Sequence, residues 1–464
     1  MSRVVAVSNR VAAPSGGRPA GGLAVGILGA LRRSGGIWFG WGGDTCRGEP
    51  ADPTLDERGN VTYATIDIKR TDFEPYYNGF CNGSLWPLFH YMLGFFRYER
   101  ADYEAYERVN ALFARKLIPL LEPTDRIWVH DYHLIPLAEE LRSSGVRNPI
   151  GFFLHVPFPG LDVLRTLPGY RRILRALAQY DVVGFQTRMD CEDFVAGLRG
   201  AGFGGKRLQG RKVLALDREI LVDAFPIGVD VDEIEQQAAK ATEAASVQRL
   251  AVDLKKRTLV IGVDRLDYSK GLPQRFRAFE IFLASHPAIR GRVVYLQIAP
   301  PSRTGVRAYQ DIRQELEQAA GHINGRFAEP DWTPVRYLNR GFSRSILMGF
   351  FRLGGIGLVT PLRDGMNLVA KEFVAAQDPE DPGVLVLSRL AGAAAEFGDS
   401  AVLVNPFDAA GVADALLIAS EMQLAERRER HAAMMEALRR NDIHAWRRRF
   451  IDALTPPARR SGLQ

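Results

Sequence analysis

Short, almost continuous apolar runs recur along this chain of 464 residues, each followed by a longer segment with helical spacing. Val4–Val7, Arg126–His130, Ile150–His155, Asp181–Phe185, Leu259–Val263, Val293–Ala299, Ile356–Thr360, Val384–Leu387 and Ala401–Val404 read as strands. A strand that is apolar at nearly every position is buried on both faces, as in a parallel sheet covered by helices. Parallel neighbours need a crossover of about a dozen residues or more, and the segments between these runs are generally long enough. The pattern predicts an α/β protein with two doubly wound parallel sheets.

A boundary is expected near Phe225-Pro226-Ile227-Gly228, which a polar helical stretch, Val231 to Lys256, follows. The expected division is a first domain over 1–228, a second over 229–442, and a last segment over 443–464. In that segment the helical pattern Ile443 to Ala453 returns to the first domain, and the tail from Thr455 frays.

Bulk properties narrow the function. With 46% hydrophobic and 25% charged residues the chain reads as an ordinary globular protein. The net charge of +6 is small for this length. Arg427, Arg428, Arg430, Arg439, Arg440 and Arg447 to Arg449 alternate with Glu, Ala and Leu at helical spacing, which describes a solvated helix face and no nucleic-acid partner. Cys46, Cys81 and Cys191 are far apart and unpaired in pattern, as suits free thiols in the cytoplasm. The first residues run straight into a strand, too short for a signal peptide. No apolar run approaches the roughly 20 residues of a membrane span.

In open α/β sheets ligands bind outside the carboxyl ends of the strands, and charged motifs fall there repeatedly. Arg265-Leu-Asp-Tyr-Ser-Lys270-Gly271 follows Leu259–Val263 and offers two cations. Such cations can neutralise a diphosphate. After Ile356–Thr360 comes Leu362-Arg-Asp364-Gly365-Met366-Asn367-Leu368-Val369-Ala-Lys-Glu372. Here a carboxylate precedes a turn that opens a helix, whose first N–H groups suit a sugar or phosphate oxygen. Glu372, one turn in, can accept from ribose hydroxyls. Together these features describe a nucleotide-sugar site. Asp364 and Glu372 could instead form an acid/base pair, but helix geometry puts Glu372 about two turns deeper, which favours separate roles.

Arg10 follows the first strand and precedes a Gly/Pro-rich loop with Gly21-Gly22-Leu23, so it is either a surface cation beside a flexible turn or a phosphate contact. His130-Asp131-Tyr132-His133 departs from the helical zinc spacing and has no evident third ligand; Asp131 reads better as a partner for a sugar hydroxyl. His155 is either a satisfied core histidine or a hydroxyl contact, and its strand-end place favours the second. Tyr77 and Trp86 lie in the aromatic stretch from Tyr76 to Tyr91, most of which must be core. Arg303, on a proline-rich loop, suits a specific anion such as a phosphate on an acceptor.

These motifs in this order resemble the trehalose-6-phosphate synthase family. The resemblance runs from Val5 to about Phe450 and includes Ser8-Asn9-Arg10, Trp38-Phe39-Gly40-Trp41, Tyr76-Tyr77-Asn78, the His130 and His155 segments, Gly184-Phe185-Gln186-Thr187, and the two loops described above. It implies a retaining GT-B glycosyltransferase: two Rossmann-like doubly wound domains facing each other across a cleft. The implied reaction transfers glucose from UDP-glucose to glucose 6-phosphate and gives α,α-trehalose 6-phosphate. It further implies no metal or other cofactor, small-molecule substrates, no membrane partner, and a homodimer or homotetramer. By the same resemblance, Arg10, Tyr77, Trp86 and Arg303 hold the acceptor phosphate and Asp131 a hydroxyl of its sugar. Arg265 and Lys270, with Gly22 and Leu23 nearby, hold the donor diphosphate, and His155 and Asp364 contact the donor glucose. Phe342 touches the base through its backbone. Gly365, Met366, Asn367, Leu368 and Val369 line the donor site, with Glu372 on the ribose. The loop between Arg10 and Gly21 is one residue shorter than in the enterobacterial pattern of that family.

No carboxylate stands as an obvious nucleophile, so retention implies substitution on one face, with catalysis by His155, Arg265, Lys270 and Asp364 through charge and orientation. Three other readings compete. One is a relative that couples aminocyclitol phosphates, against which Arg10, His155, Arg303 and Asp364 speak; another is an inactive sugar-phosphate sensor, against which the intact cations and carboxylates speak. The third, a phosphorylase using pyridoxal phosphate, needs a lysine for the cofactor, and Lys270 is better explained by the diphosphate. The base of the nucleotide is not legible in the residues.

Overall fold

The structure, a computed structural model, describes residues 3–11, 26–29, 31–32, 35–302 and 307–455. It contains two compact units, one of Met1–Pro226 with His444–Gln464 and one of Ile227–Ile443.

The first unit is built on a ten-stranded sheet. Its strands are β1 (Val4–Arg10), β2 (Gly36–Cys46), β3 (Thr54–Arg58), β4 (Val61–Lys69), β5 (Arg126–His130), β6 (Ile150–Phe153), β7 (Val182–Phe185), β8 (Gly204–Arg207), β9 (Lys212–Ala215) and β10 (Arg218–Ala224). They lie in the order β3-β4-β2-β1-β5-β6-β7-β10-β9-β8. Every pair from β4 across to β10 is parallel, and only the outer hairpins are antiparallel. The central strands β5, β6 and β7 are the near-continuous apolar runs, and they are buried on both faces as such runs require.

One covering element is the helix Ile443–Ala453. Its Phe450 stacks on Trp128 of β5 with ring centroids 4.9 Å apart, and its Trp446 lies at the same distance. The close approach needs glycine beneath it. A Cβ at Gly151 would come within 2.8 Å of the Phe450 ring, and one at Gly184 within 2.7 Å.

The second unit carries β11 (Thr258–Val263), β12 (Val293–Ile298), β13 (Val335–Leu338), β14 (Ile356–Val359), β15 (Val384–Ser388) and β16 (Val402–Val404). Their order is β13-β12-β11-β14-β15-β16, and every pair is parallel. Counted within the unit this is third, second, first, fourth, fifth, sixth, the doubly wound order whose direction reverses between β11 and β14. A ligand crevice opens at the carboxyl ends of those two strands.

Both units are the doubly wound α/β sheets that the apolar runs predict. The differences lie at the edges. β1 runs on to Arg10, and β6 stops at Phe153, so His155 stands just past the strand rather than in it. β2, β3, β4, β8, β9, β10 and β13 have no counterpart among the expected strands. β4 alternates buried and half-buried positions, β8 is largely exposed, and β9 alternates exposed and buried positions, so none reads as a continuous apolar run. Among the described residues no helix is long and apolar enough to cross a membrane. The three cysteines are free thiols.

Candidate active site

At the switch point of the second unit, β11 passes into Asp264 and Arg265 and then a tight turn over Tyr268–Lys270. Asp267, with no exposed surface, accepts from the Ser269 N–H at 3.0 Å and the Ser269 hydroxyl at 2.8 Å. Its other oxygen accepts from Tyr309 at 3.2 Å. Gly271 then turns with φ +65°, and a Cβ there would meet the Thr360 carbonyl at 2.6 Å. This footing delivers Lys270. Its Nζ lies 2.5 Å from Asp364 Oδ2, and both side chains are mostly buried. Two residues that the sequence reading assigns to different parts of a donor are therefore an ion pair across the β11–β14 switch point.

Asp364 is held in turn by Asn367, whose Nδ2 donates to the same Oδ2 at 2.9 Å. Asn367 takes the left-handed conformation, φ +78°, and its Oδ1 accepts from the Ala370 N–H, capping the helix Leu368–Ala376. The first-turn N–H groups of Leu368 and Val369 have no partner within the helix and remain suited to a ligand oxygen. The helix begins at Leu368, so Asp364 sits in the turn before it. The expected two-turn spacing to Glu372 is thus no measure of their separation.

Glu372 is largely buried, with the Arg344 guanidinium 3.7 Å away. Burial pushes its carboxyl up, Arg344 pulls it down, and Glu233 adds a smaller upward push. Lys371 on the same turn is fully buried, paired with Glu396 and the Ile227 carbonyl, and so is spent on structure. Phe342 packs edge-on against Phe350 at 5.3 Å, with Arg340 over its ring at 4.9 Å. Gly365 and Met366 are buried and Arg265 is exposed.

Under the loop lies a buried network that sequence reasoning missed. Arg275, 1% exposed, donates to Asp264 at 2.7 Å, to Gln297 at 2.9 Å and to Thr360 at 3.1 Å. It also reaches the Lys270 carbonyl at 3.4 Å. One guanidinium thus ties together the ends of β11, β12 and β14 and the loop that carries Lys270. The available signal was faint: an acidic residue directly after an apolar strand, and a lone arginine on the apolar side of the next helix.

In the first unit the carboxyl ends of β1, β5 and β6 gather the other candidates. Arg10 lies over the Trp41 ring at 5.4 Å, and Trp41 touches Tyr77 at 6.4 Å. Tyr77 stacks on Phe73 at 5.5 Å and on His133 at 5.9 Å. Tyr77 is carried by Glu74–Leu85, a π-helical stretch, and such wide turns are frequent at functional sites. Trp86 is buried, its ring 4.0 Å from His90 and 5.8 Å from Tyr132.

Asp131 adopts φ +75° and ψ 166°, a region almost reserved for glycine. Holding it there costs on the order of 1–3 kcal/mol, and strain of this kind concentrates at working sites. Its Oδ1 accepts from the His155 N–H at 3.2 Å. His155 keeps a partly exposed edge, yet desolvation takes its pKa down to about 3. The fully buried His130 is pushed down by the same cause and by the nearby His155. Gly22, Leu23 and Arg303 lie outside the described residues. Among those described, no group of three or more His, Cys, Asp or Glu side chains is gathered where it could hold a metal.

The architecture and the loops define a nucleotide-sugar-handling α/β protein, and comparison with known proteins gives the family. Residues 13–456 match the model of glycosyltransferase family 20, and the chain belongs to that family. Trehalose-6-phosphate synthase of Klebsiella pneumoniae is 50% identical over 460 residues, covering 98% of this chain and 95% of the relative. The crystal structure of an α,α-trehalose-phosphate synthase (UDP-forming) from Burkholderia xenovorans in complex with glucose-6-phosphate is 51% identical. It aligns with a TM-score of 0.94 over 98% of this chain and all (100%) of that one. The E. coli protein bound with UDP-2-fluoro glucose is 48% identical, with a TM-score of 0.93 over 98% and 99% of the two chains.

Proposed function

We propose that this chain is a retaining glucosyltransferase that joins glucose from UDP-glucose to glucose 6-phosphate, forming α,α-trehalose 6-phosphate, the first step of trehalose biosynthesis. The observation that carries the reading is the Lys270–Asp364 pair at the β11–β14 switch point, beside a helix start suited to anions. Support comes from a full-length relative at half identity whose name states that activity, and from similar structures holding glucose-6-phosphate and UDP-2-fluoro glucose.

In this reading the second unit takes the donor. Lys270 and Arg265 stabilise the departing diphosphate, Asp364 orients the glucose, the Leu368 and Val369 N–H groups meet donor oxygens, and Glu372 accepts from the ribose. The Phe342 backbone reads the base. The first unit takes the acceptor, with Arg10, Tyr77, Trp86 and Arg303 toward its phosphate and Asp131 toward a hydroxyl. His155 contributes to the donor glucose. The bond from the anomeric carbon to the diphosphate oxygen breaks as the acceptor oxygen bonds to the same face of that carbon. The released phosphate oxygen takes the acceptor's proton, so no protein nucleophile is needed.

The test is product identification. Purified protein is incubated with glucose 6-phosphate and, separately, UDP-, GDP- and ADP-glucose. Trehalose 6-phosphate with retained configuration, formed fastest from UDP-glucose, is the expected result. Product only from an aminocyclitol phosphate, or tight glucose 6-phosphate binding without turnover, would replace this reading with a coupling enzyme or a sensor.

A further inference from the structure

His130 and His155 form a pair whose proton can be placed. His130 is the last residue of β5, between β1 and β6. Two residues earlier on the same face stands Trp128, its ring 4.4 Å from the His130 ring. Trp446 covers that face from the terminal helix, 6.3 Å from His130 and 6.2 Å from His155. His130 is 0% exposed. Its Nδ1 lies 3.1 Å from His155 Nε2, while its buried Nε2 has no hydrogen-bond partner among the described residues.

Two ring nitrogens at that distance share one proton. If His155 Nε2 carried it, His130 Nδ1 would be the acceptor, and the neutral His130 would hold its own proton on Nε2. That would seal a donor where no described group accepts it, and an orphaned buried N–H is rarer in folded proteins than an under-satisfied acceptor. The indole N–H groups of Trp128 and Trp446, also buried and without partners among the described residues, are donors only. A lone pair on His130 Nε2 suits such neighbours and a proton does not.

We propose that His130 is a positioning residue that donates from Nδ1–H to His155 Nε2 and thereby holds His155 as the Nδ1–H tautomer, a hydrogen-bond donor toward a substrate oxygen. His155 so held cannot take a proton from the acceptor at Nε2, because that lone pair is already engaged. Its partner is then an oxygen lone pair, of a sugar hydroxyl or of the leaving phosphate. Both rings stay neutral at ordinary pH, since burial depresses their basicity. The part concerning substrate rests on the proposed transferase reading; the tautomer does not.

Histidine-15N NMR on the ligand-free full chain tests it, with His155 assigned by the signals lost in His155→Gln. The expected spectrum shows a protonated, pyrrole-type Nδ1 and a pyridine-type Nε2 on His155. An Nε2–H form, or a doubly protonated ring at neutral pH, overturns the proposal. His130→Leu is expected to let the His155 tautomers mix and to lower kcat/KM for the donor about tenfold or more, as wrong-tautomer histidines do elsewhere. The KM for glucose 6-phosphate should move less than twofold. His130→Asn, which restores an N–H donor, should recover part of the loss. Unchanged donor kinetics in a folded His130→Leu would also overturn it. If that variant does not fold, the wild-type spectrum alone decides. Absence of any trehalose 6-phosphate from the wild type would sink the transferase reading and leave the spectrum interpretable.

Discussion

Lys270 and Asp364 are 94 residues apart in sequence and meet at 2.5 Å between Nζ and Oδ2. The pair spans the two strand ends between which the sheet changes direction, so it forms only when both βα loops are in place. A cation so held is pre-positioned, and in the proposed reading an arriving diphosphate would compete with a carboxylate for it. Asp364 would then be freed to accept from the sugar.

Lys270→Ala is expected to lower kcat about 100-fold or more, the usual scale for losing a group that stabilises developing negative charge. Circular dichroism and thermal melting should show the fold intact. A turnover within a fewfold of wild type would remove Lys270 from the chemistry.

Asp364→Asn separates the two roles. It leaves Lys270 without its carboxylate, so UDP should bind as well as before or tighter, by calorimetry, while glucosyl transfer falls at least tenfold. Weaker UDP binding together with unimpaired transfer would contradict the assignment.

Arg303→Ala should raise the KM for glucose 6-phosphate by roughly ten- to a hundredfold, the range for a lost charge-assisted hydrogen bond. The donor KM should hardly change. Equal effects on both substrates would mean that Arg303 does not bind the acceptor phosphate.

Arg275→Met removes the charge that Asp264 faces in the interior. Leaving a buried carboxylate unpaired costs about 3–5 kcal/mol, to be read from urea unfolding. The Asp264→Asn/Arg275→Met double variant should recover part of that stability, and the remaining Lys270 loop should show a raised donor KM. A single variant as stable as wild type would mean that the network carries no net load.

The histidine pair sets a pH dependence. His155 titrates at about 3 when folded and near 6.5 when unfolded, and His130 is shifted in the same direction. Between those values the unfolded chain binds more protons, so stability is full above pH 6.5 and falls as pH drops toward 3. Each histidine adds at most about 1.4 kcal/mol per pH unit to that slope. Denaturant titrations across the window, with His155→Gln as the comparison, should show a shallower slope in the variant.

Much of this was legible in the sequence. β5, β7, β11, β12, β14 and β15 were marked by apolar runs because a parallel strand under two helical layers has no solvated face. The loops after β11 and β14 were marked as well, since charge and glycine directly after such a run have few structural uses. β4 escaped because its half-buried face breaks the run, β8 because it is largely exposed, and β9 because only every second residue of a four-residue strand is buried. Arg275 escaped, and His130 read only as a partly buried histidine paired with backbone, for another reason: what distinguishes them is complete burial, which depends on what covers them.

The order of residues along the chain therefore determined the α/β architecture and which loops carry charge, because hydrophobic periodicity and turn chemistry are local. Only the tertiary structure decided which charges meet. Lys270 was placed on Asp364, Arg275 beneath both loops, and Trp446 over His130 by strand order and by a helix drawn from the far end of the chain. Distances of that kind depend on how remote segments pack together, and no pattern within one segment contains them.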